Sequence, residues 1–170
     1  FDTNGTGADI QGTGFCETCY YQDSAFYKFQ GYQIFQLSES SVGPEDLADV
    51  SKARLVAQCD VKDGVSRLIN FDFDEDLQAA IPIEKVDGID EGISHSFEII
   101  EDAFAQGDVA LVNYKKYHYM AVAYAYNGYR DYNNTDPLFL DGQQQPYLIG
   151  RKSCVGGIQS FTGIPHKASA

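Results

Sequence analysis

Hydrophobic and polar residues alternate with period two along much of this chain. Phe29-Gln-Gly-Tyr-Gln-Ile-Phe-Gln-Leu37 sends Tyr32 and Ile34 to one side and Phe35 and Leu37 to the other, the pattern of a strand. Tyr117-His-Tyr-Met-Ala-Val-Ala-Tyr-Ala-Tyr126 alternates tyrosines with small apolar residues in the same way. Residues 53–61 alternate again and run into Lys62-Asp63-Gly64, where Asp-Gly favours a hairpin turn with 65–73 as the returning strand. Strand character resumes over 93–100, and 147–151 and 158–164 supply the last strand material. Between these lie an extended piece around Pro82, a short helical turn at Pro44-Glu-Asp-Leu47 with Ser41 or Gly43 near its cap, and a short piece 101–107 with Gly107 as a helix stop. Residues 126–146 form a long polar insertion rich in Tyr, Asn, Asp, Gly and Gln. No helix longer than about three turns is predicted, so the class is all-β.

Leu111, Asn113 and Tyr117 sharpen the class. A leucine six residues before a tyrosine that begins an alternating strand is the pattern at the start of the penultimate strand in an immunoglobulin-like β-sandwich. There the tyrosine hydroxyl bonds back to the preceding turn and fixes a corner. A complete sandwich needs two strands before Phe29, usually with a large aromatic on one of them. Residues 1–25 show no such pattern and the chain has no Trp, so the expectation is a sandwich lacking its first strands, with long polar loops. A sheet short of strands has an open edge, and open edges recruit strands from neighbours. The expected organisation is an irregular N-terminal segment over 1–25 pinned by its own cysteines, the sandwich over 26–165 and a tail over 166–170.

Length and charge narrow the partners. A chain of 170 residues suits one domain with a real core. It starts at Phe1 and its sole methionine is Met120, so it reads as a processed product or a piece of something longer. No apolar run approaches the roughly 20 residues of a membrane-spanning helix. Lys plus Arg total 12 against 25 Asp plus Glu, a formal charge of −13. Such a surface repels phosphate backbones and anionic head groups, which argues against nucleic acid and membrane as partners and favours cations.

Four cysteines, Cys16, Cys19, Cys59 and Cys154, include one C-x-x-C pair. A zinc site of four cysteines usually has a second such pair, and a redox motif would sit in a βαβ pattern, so disulfides are the expectation. In an extracellular module the local pair would be Cys16 with Cys19 and the long one Cys59 with Cys154, one of the three connectivities four cysteines allow.

Other candidates stand against plain readings. Asp2, Asn4 and Asp9, with Gly7 at the sixth position of the loop, begin as a calcium loop does, but Thr13 stands where a bidentate glutamate belongs. Asp72, Asp74 and Asp76 recur with period two and could line one strand face around calcium; a solvated acidic loop is the competing reading, as it is for Asp87, Asp90 and Glu91. His95, His118 and His166 share no ligand spacing. Of the 12 tyrosines, Tyr129 and Tyr132 lie in the polar insertion, where an aromatic ring with a polar tip can stack on a sugar or a protein. Asn133-Asn-Thr135 is a sequon for N-linked sugar.

At Gly31-Tyr-Gln-Ile-Phe-Gln36 and 111–127 the chain resembles fibronectin type III modules. Lys52-Ala-Arg-Leu-Val-Ala-Gln-Cys-Asp60, Gly92-Ile-Ser-His-Ser-Phe-Glu-Ile99 and Gln145-Pro-Tyr-Leu-Ile-Gly-Arg-Lys152 resemble a module of long cell-surface proteins of the Bacteroidetes exported by type IX secretion. The likeness spans about residues 26–165 and carries over no catalytic residue. Asp23-Ser24-Ala25 resembles the short O-glycan acceptor of such proteins, which puts Ser24 among the modification sites. The resemblance implies an extracellular, secreted or surface-attached, β-rich segment without an enzymatic role.

Three functions are therefore weighed. The first is a structural or adhesive module that binds other protein subunits, or copies of itself by strand exchange. The second is a carbohydrate-binding module that meets surface glycans through its loop tyrosines. The third, a hydrolase using two clustered carboxylates, needs carboxyls about 5–9.5 Å apart across a cleft, which adjacent carboxylates on a sandwich surface do not provide.

Overall fold

The computed structural model describes residues 26–150, 152–153 and 156–166. The described residues are all-β, with antiparallel sheets consistent with a β-sandwich. The strands are β1 (Lys28–Leu37), β2 (Ala53–Asp60), β3 (Arg67–Asp74), β4 (Ala79–Asp87), β5 (Tyr117–Tyr126), β6 (Tyr147–Ile149), β7 (Lys152–Ser153), β8 (Gly156–Gly157) and β9 (Phe161–Gly163). The largest sheet has the order β2-β1-β5-β6, with β9 also paired to β5, and β3-β4 and β7-β8 form two-stranded sheets. Strands preceding β1, whose absence the sequence suggested, would fall on residues outside the described ones.

The chain divides into two compact units. One takes in Gln30–Ser66, Gly88–Tyr124 and the stretch from Ile149 onward. Here β1 and β2 pair antiparallel from Gly31↔Asp60 to Leu37↔Ala53. Ile34 faces Ala57 but Phe35 faces Leu55, so Val56 is an extra residue that makes a bulge in β2. Leu37, Val42, Leu47, Ala53, Met120 and Val122 form the buried core, with Phe35 packed against it. The turn at Pro44–Asp46 is a 3-10 helix capped by Gly43, as its Pro-first sequence predicts. On β5, Tyr117, Tyr119 and Tyr124 are all buried, so both faces of this strand are covered. The expected corner forms: the backbone N–H of Val112 donates to the Tyr117 hydroxyl at 2.9 Å.

Three expectations fail in this unit. The strand at 53–60 does not turn back at Asp63-Gly64 onto 65–73; it pairs with β1 instead. The turn amides are taken by a distant side chain, since the Asp90 carboxylate accepts from Asp63 N at 2.8 Å and Gly64 N at 3.0 Å. Residues 93–100 carry strand-like composition yet join no sheet, and 101–107 makes turns rather than a helix, with Glu101 bridged to Ala110.

The other unit takes in Arg67–Asp87, Ala125–Leu148 and the stretch up to Phe29. Its hairpin pairs β3 with β4 from Arg67↔Asp87 to Asp74↔Ala79, so the piece around Pro82 is a full strand, opposite Phe71. Asn70, 4% exposed, substitutes for a peptide group: its amide nitrogen donates to Tyr147 O at 3.0 Å and its oxygen accepts from Tyr147 N at 2.9 Å. The polar insertion 127–146 closes on itself through Arg130, which donates to Leu138 O at 2.6 Å and pairs with Asp141.

Candidate functional site

The strand-like segment that joins no sheet walls a concavity among the described residues. Its alternate residues His95, Phe97 and Ile99 face Ile34 of β1, Tyr119 of β5 and Phe161 of β9 across a groove of about 410 Å³. Ser96, Leu111, Gly163, Ile164 and Pro165 complete the walls. The Tyr119 and Phe161 rings lie 5.7 Å apart, tilted by 32°. Gly163 lies close beside them, since a Cβ there would stand 3.2 Å from the Tyr119 ring. Phe161 and Ile164 remain 52% and 40% exposed, so the groove presents apolar surface to water. Burial pushes the Tyr119 hydroxyl up from its ordinary value of 10.0, so this group meets a partner as a donor.

Sequence reasoning missed this groove, although the apolar alternation 93-95-97-99 was its signal. Its lining contains one titratable base, His95, and no carboxylate or thiol.

The rim is held by a buried acid. Asp102, with its side chain 8% exposed, pairs with Lys115 at 2.8 Å, accepts from Gln36 Nε2 at 2.7 Å and caps Phe104 N at 3.0 Å. Gln36 returns its oxygen to Ala103 N at 2.8 Å. Arg54 donates to Ala103 O at 2.6 Å and lies over the Phe104 ring, so the segment leading to Leu111 is fixed from several sides.

The acidic candidates do not converge. Asp72 pairs with Lys85 at 2.8 Å and accepts from Gln145 Nε2 at 2.8 Å. Asp74 caps Leu77 N at 2.8 Å, and Asp76 falls in the hairpin turn beyond the strand, so the three do not line one strand face. Asp60, Asp63 and Asp90 lie together, but their oxygens are engaged by Asp90 N, by Val65 N and Gln30 Nε2, and by the turn amides. Among the described residues no group of three His, Cys, Asp or Glu is placed to hold a metal ion. The calcium candidates Asp2, Asn4 and Asp9 lie outside the described residues, as do Cys16, Cys19, Cys154 and Ser24. Cys59 is buried and has no disulfide partner among the described residues, its Sγ standing 3.7 Å from Ser94 O.

Tyr129 and Tyr132 each have a partner within the fold. Both are half-buried; Tyr129 donates to Asp141 O at 3.3 Å, and the Tyr132 ring stands edge-on to Phe71 at 4.8 Å. His118 turns to Thr162 Oγ1 at 3.1 Å, and His166 lies edge-on to Tyr114.

Comparison with known protein families, curated proteins and solved structures found no match. The reading of the site therefore rests on its own geometry.

Several carboxylates give a pH dependence. Burial pushes Asp102 and Asp72 up, but hydrogen bonds from Lys115 and Gln36 to the first, and from Lys85 and Gln145 to the second, outweigh it and hold both below the usual value. Asp46 and Asp49 are held low by hydrogen bonds from Lys52 and from Ser51. A depressed native pKa contributes stability that is full above the unfolded value of about 3.9 and is lost as pH falls through the native values. The melting temperature should thus fall as pH drops below about 4. In calorimetry across pH, Asp72→Asn combined with Asp102→Asn should flatten that acid limb; an unchanged slope would mean these pairs contribute nothing to it.

Proposed function

We propose that this chain is a non-catalytic structural or adhesive module of a secreted cell-surface protein, and that it assembles with protein subunits, copies of itself included, through the groove over Tyr119. The observation that carries the reading is an apolar concavity walled by aromatic and aliphatic side chains, two of them substantially exposed. Solvent-exposed apolar surface of this kind marks an interaction site. An extended apolar segment is the fitting ligand, because one wall is itself extended chain that joins no sheet. The fibronectin-like corner and the acidic charge support an exported structural role. The polar side chains of the lining are His95, Ser96 and Tyr119, with no carboxylate or thiol beside them.

Sedimentation velocity over a range of concentrations, with negative-stain microscopy of the same samples, tests it. The native chain should associate as concentration rises, and Phe161→Asp with Ile164→Lys on the exposed rim should leave it monomeric and folded. A native chain that stays monomeric throughout, or rim variants that associate equally, would sink the reading.

A further inference from the structure

The sequon at Asn133 lies on a closed, exposed loop of the 127–146 insertion. Asparagine supplies the nucleophilic amide nitrogen for N-linked glycosylation, and the threonine two residues on supplies a hydroxyl within reach of the amide oxygen. In the structure Asn133 Oδ1 accepts from Thr135 N at 2.9 Å and from Thr135 Oγ1 at 2.7 Å. Both bonds fall on the oxygen, and the amide nitrogen has no hydrogen-bond partner among the described residues.

The neighbourhood is built to present this group. Asn133 N donates to Phe139 O at 3.2 Å, and Asn134 turns elsewhere, its Nδ2 on Ala80 O at 3.2 Å. Asn133 itself is exposed. The carbonyl that Asn133 N binds belongs to the 3-10 turn Pro137–Phe139, whose apolar side chains face water: Leu138 is 73% exposed and Leu140, just past the turn, 51%.

We propose that Asn133 is the attachment site of an N-linked glycan, and that the sugar shields the apolar turn beside it. The donor class is an oligosaccharide carried on a polyprenyl diphosphate. Nδ2 attacks the anomeric carbon, the bond from that carbon to the diphosphate oxygen breaks, the polyprenyl diphosphate leaves with the electron pair, and the Nδ2 proton passes to a base of the transferase. A bulky, hydrophilic substituent at this point covers surface that would otherwise favour association. The proposal rests on the export in the preceding reading only for its setting, not for its geometry.

The test uses the purified, folded chain with a purified oligosaccharyltransferase, a polyprenyl-diphosphate oligosaccharide and an unrelated sequon peptide as positive control. Peptide mapping by mass spectrometry is essential, because Asn4-Gly5-Thr6 is a second sequon, outside the described residues. The peptide bearing Asn133 should gain the glycan in the native chain and in Thr135→Ser, and lose it entirely in Thr135→Ala. An unmodified Asn133 in a reaction that modifies the control peptide overturns the proposal, as does modification that survives Thr135→Ala. Chain recovered after secretion with Asn133 unmodified would overturn the proposal too, whereas failure of the chain to be secreted at all would count against the export reading alone.

Discussion

Replacing Gly31 with alanine is expected to cost the fold about 3 kcal/mol or more. A Cβ at this position would collide with the backbone carbonyl of Cys59 and come within 2.7 Å of the Tyr124 hydroxyl. Neither neighbour can retreat cheaply. Cys59 is paired with Tyr32 in the β1-β2 ladder, so moving its carbonyl breaks strand register, and Tyr124 is 1% exposed and donates to that same carbonyl at 3.4 Å. Gly107→Ala is the matched control, because nothing lies within 4 Å of a Cβ there. It should stay within about 0.5 kcal/mol of the native chain. Urea unfolding of the two variants side by side gives the answer, and equal midpoints would mean the close approach at Gly31 imposes no constraint.

Asp102→Ala should be comparably damaging, at about 3 kcal/mol, since it strips a buried charged acceptor from the Gln36 amide and from Phe104 N. Lys115 is half exposed and recovers by hydration, so the loss is carried by the buried Gln36 amide and the partly buried Phe104 N. The effect should be shared with Gln36, which binds the same turn through its other atom. In a double-mutant cycle, Asp102→Ala and Gln36→Leu should therefore cost clearly less together than the sum of the two singles. Simple additivity would show that the two side chains hold the rim independently. Hydrogen exchange over 101–111 should rise in the Asp102 variant, because that segment loses its anchor to β1.

What was legible in the sequence follows the range of the interactions. The strands at Phe29 and Tyr117 could be read because period-two alternation is a local property, and the corner because Tyr117 reaches only to Val112. The partner of β2 could not. Asp63-Gly64 has the chemistry of a hairpin turn, but the choice between pairing with β3 or β1 depends on Asp90 capturing the turn amides from across the chain. Pro82 disguised a strand, since proline cannot donate to a ladder and is tolerated only where that N–H would go unused. The groove was half legible. The alternation over 93–100 correctly marks an extended segment with one apolar side, but whether such a segment joins a sheet or stands off it to wall a cavity is set by tertiary contacts. The acidic triplet 72-74-76 misled for a simpler reason: the hairpin turn begins before Asp76, which ends the periodicity that would have aligned the three.

The β3-β4 hairpin limits where this surface can nucleate fibrils. A two-stranded sheet with Phe73, Leu77 and Ile83 exposed is the kind of ribbon that templates aggregation by offering free backbone groups along its margin. Among the described strands β4 pairs only with β3, yet Pro82 removes a donor from the middle of β4 and Lys85 brings a charge to the same strand. An incoming strand would meet an interrupted ladder and the Lys85–Asp72 ion pair to desolvate. The margin is poisoned as a template, so replacing Pro82 with a β-branched residue would turn a dead end into a growth point.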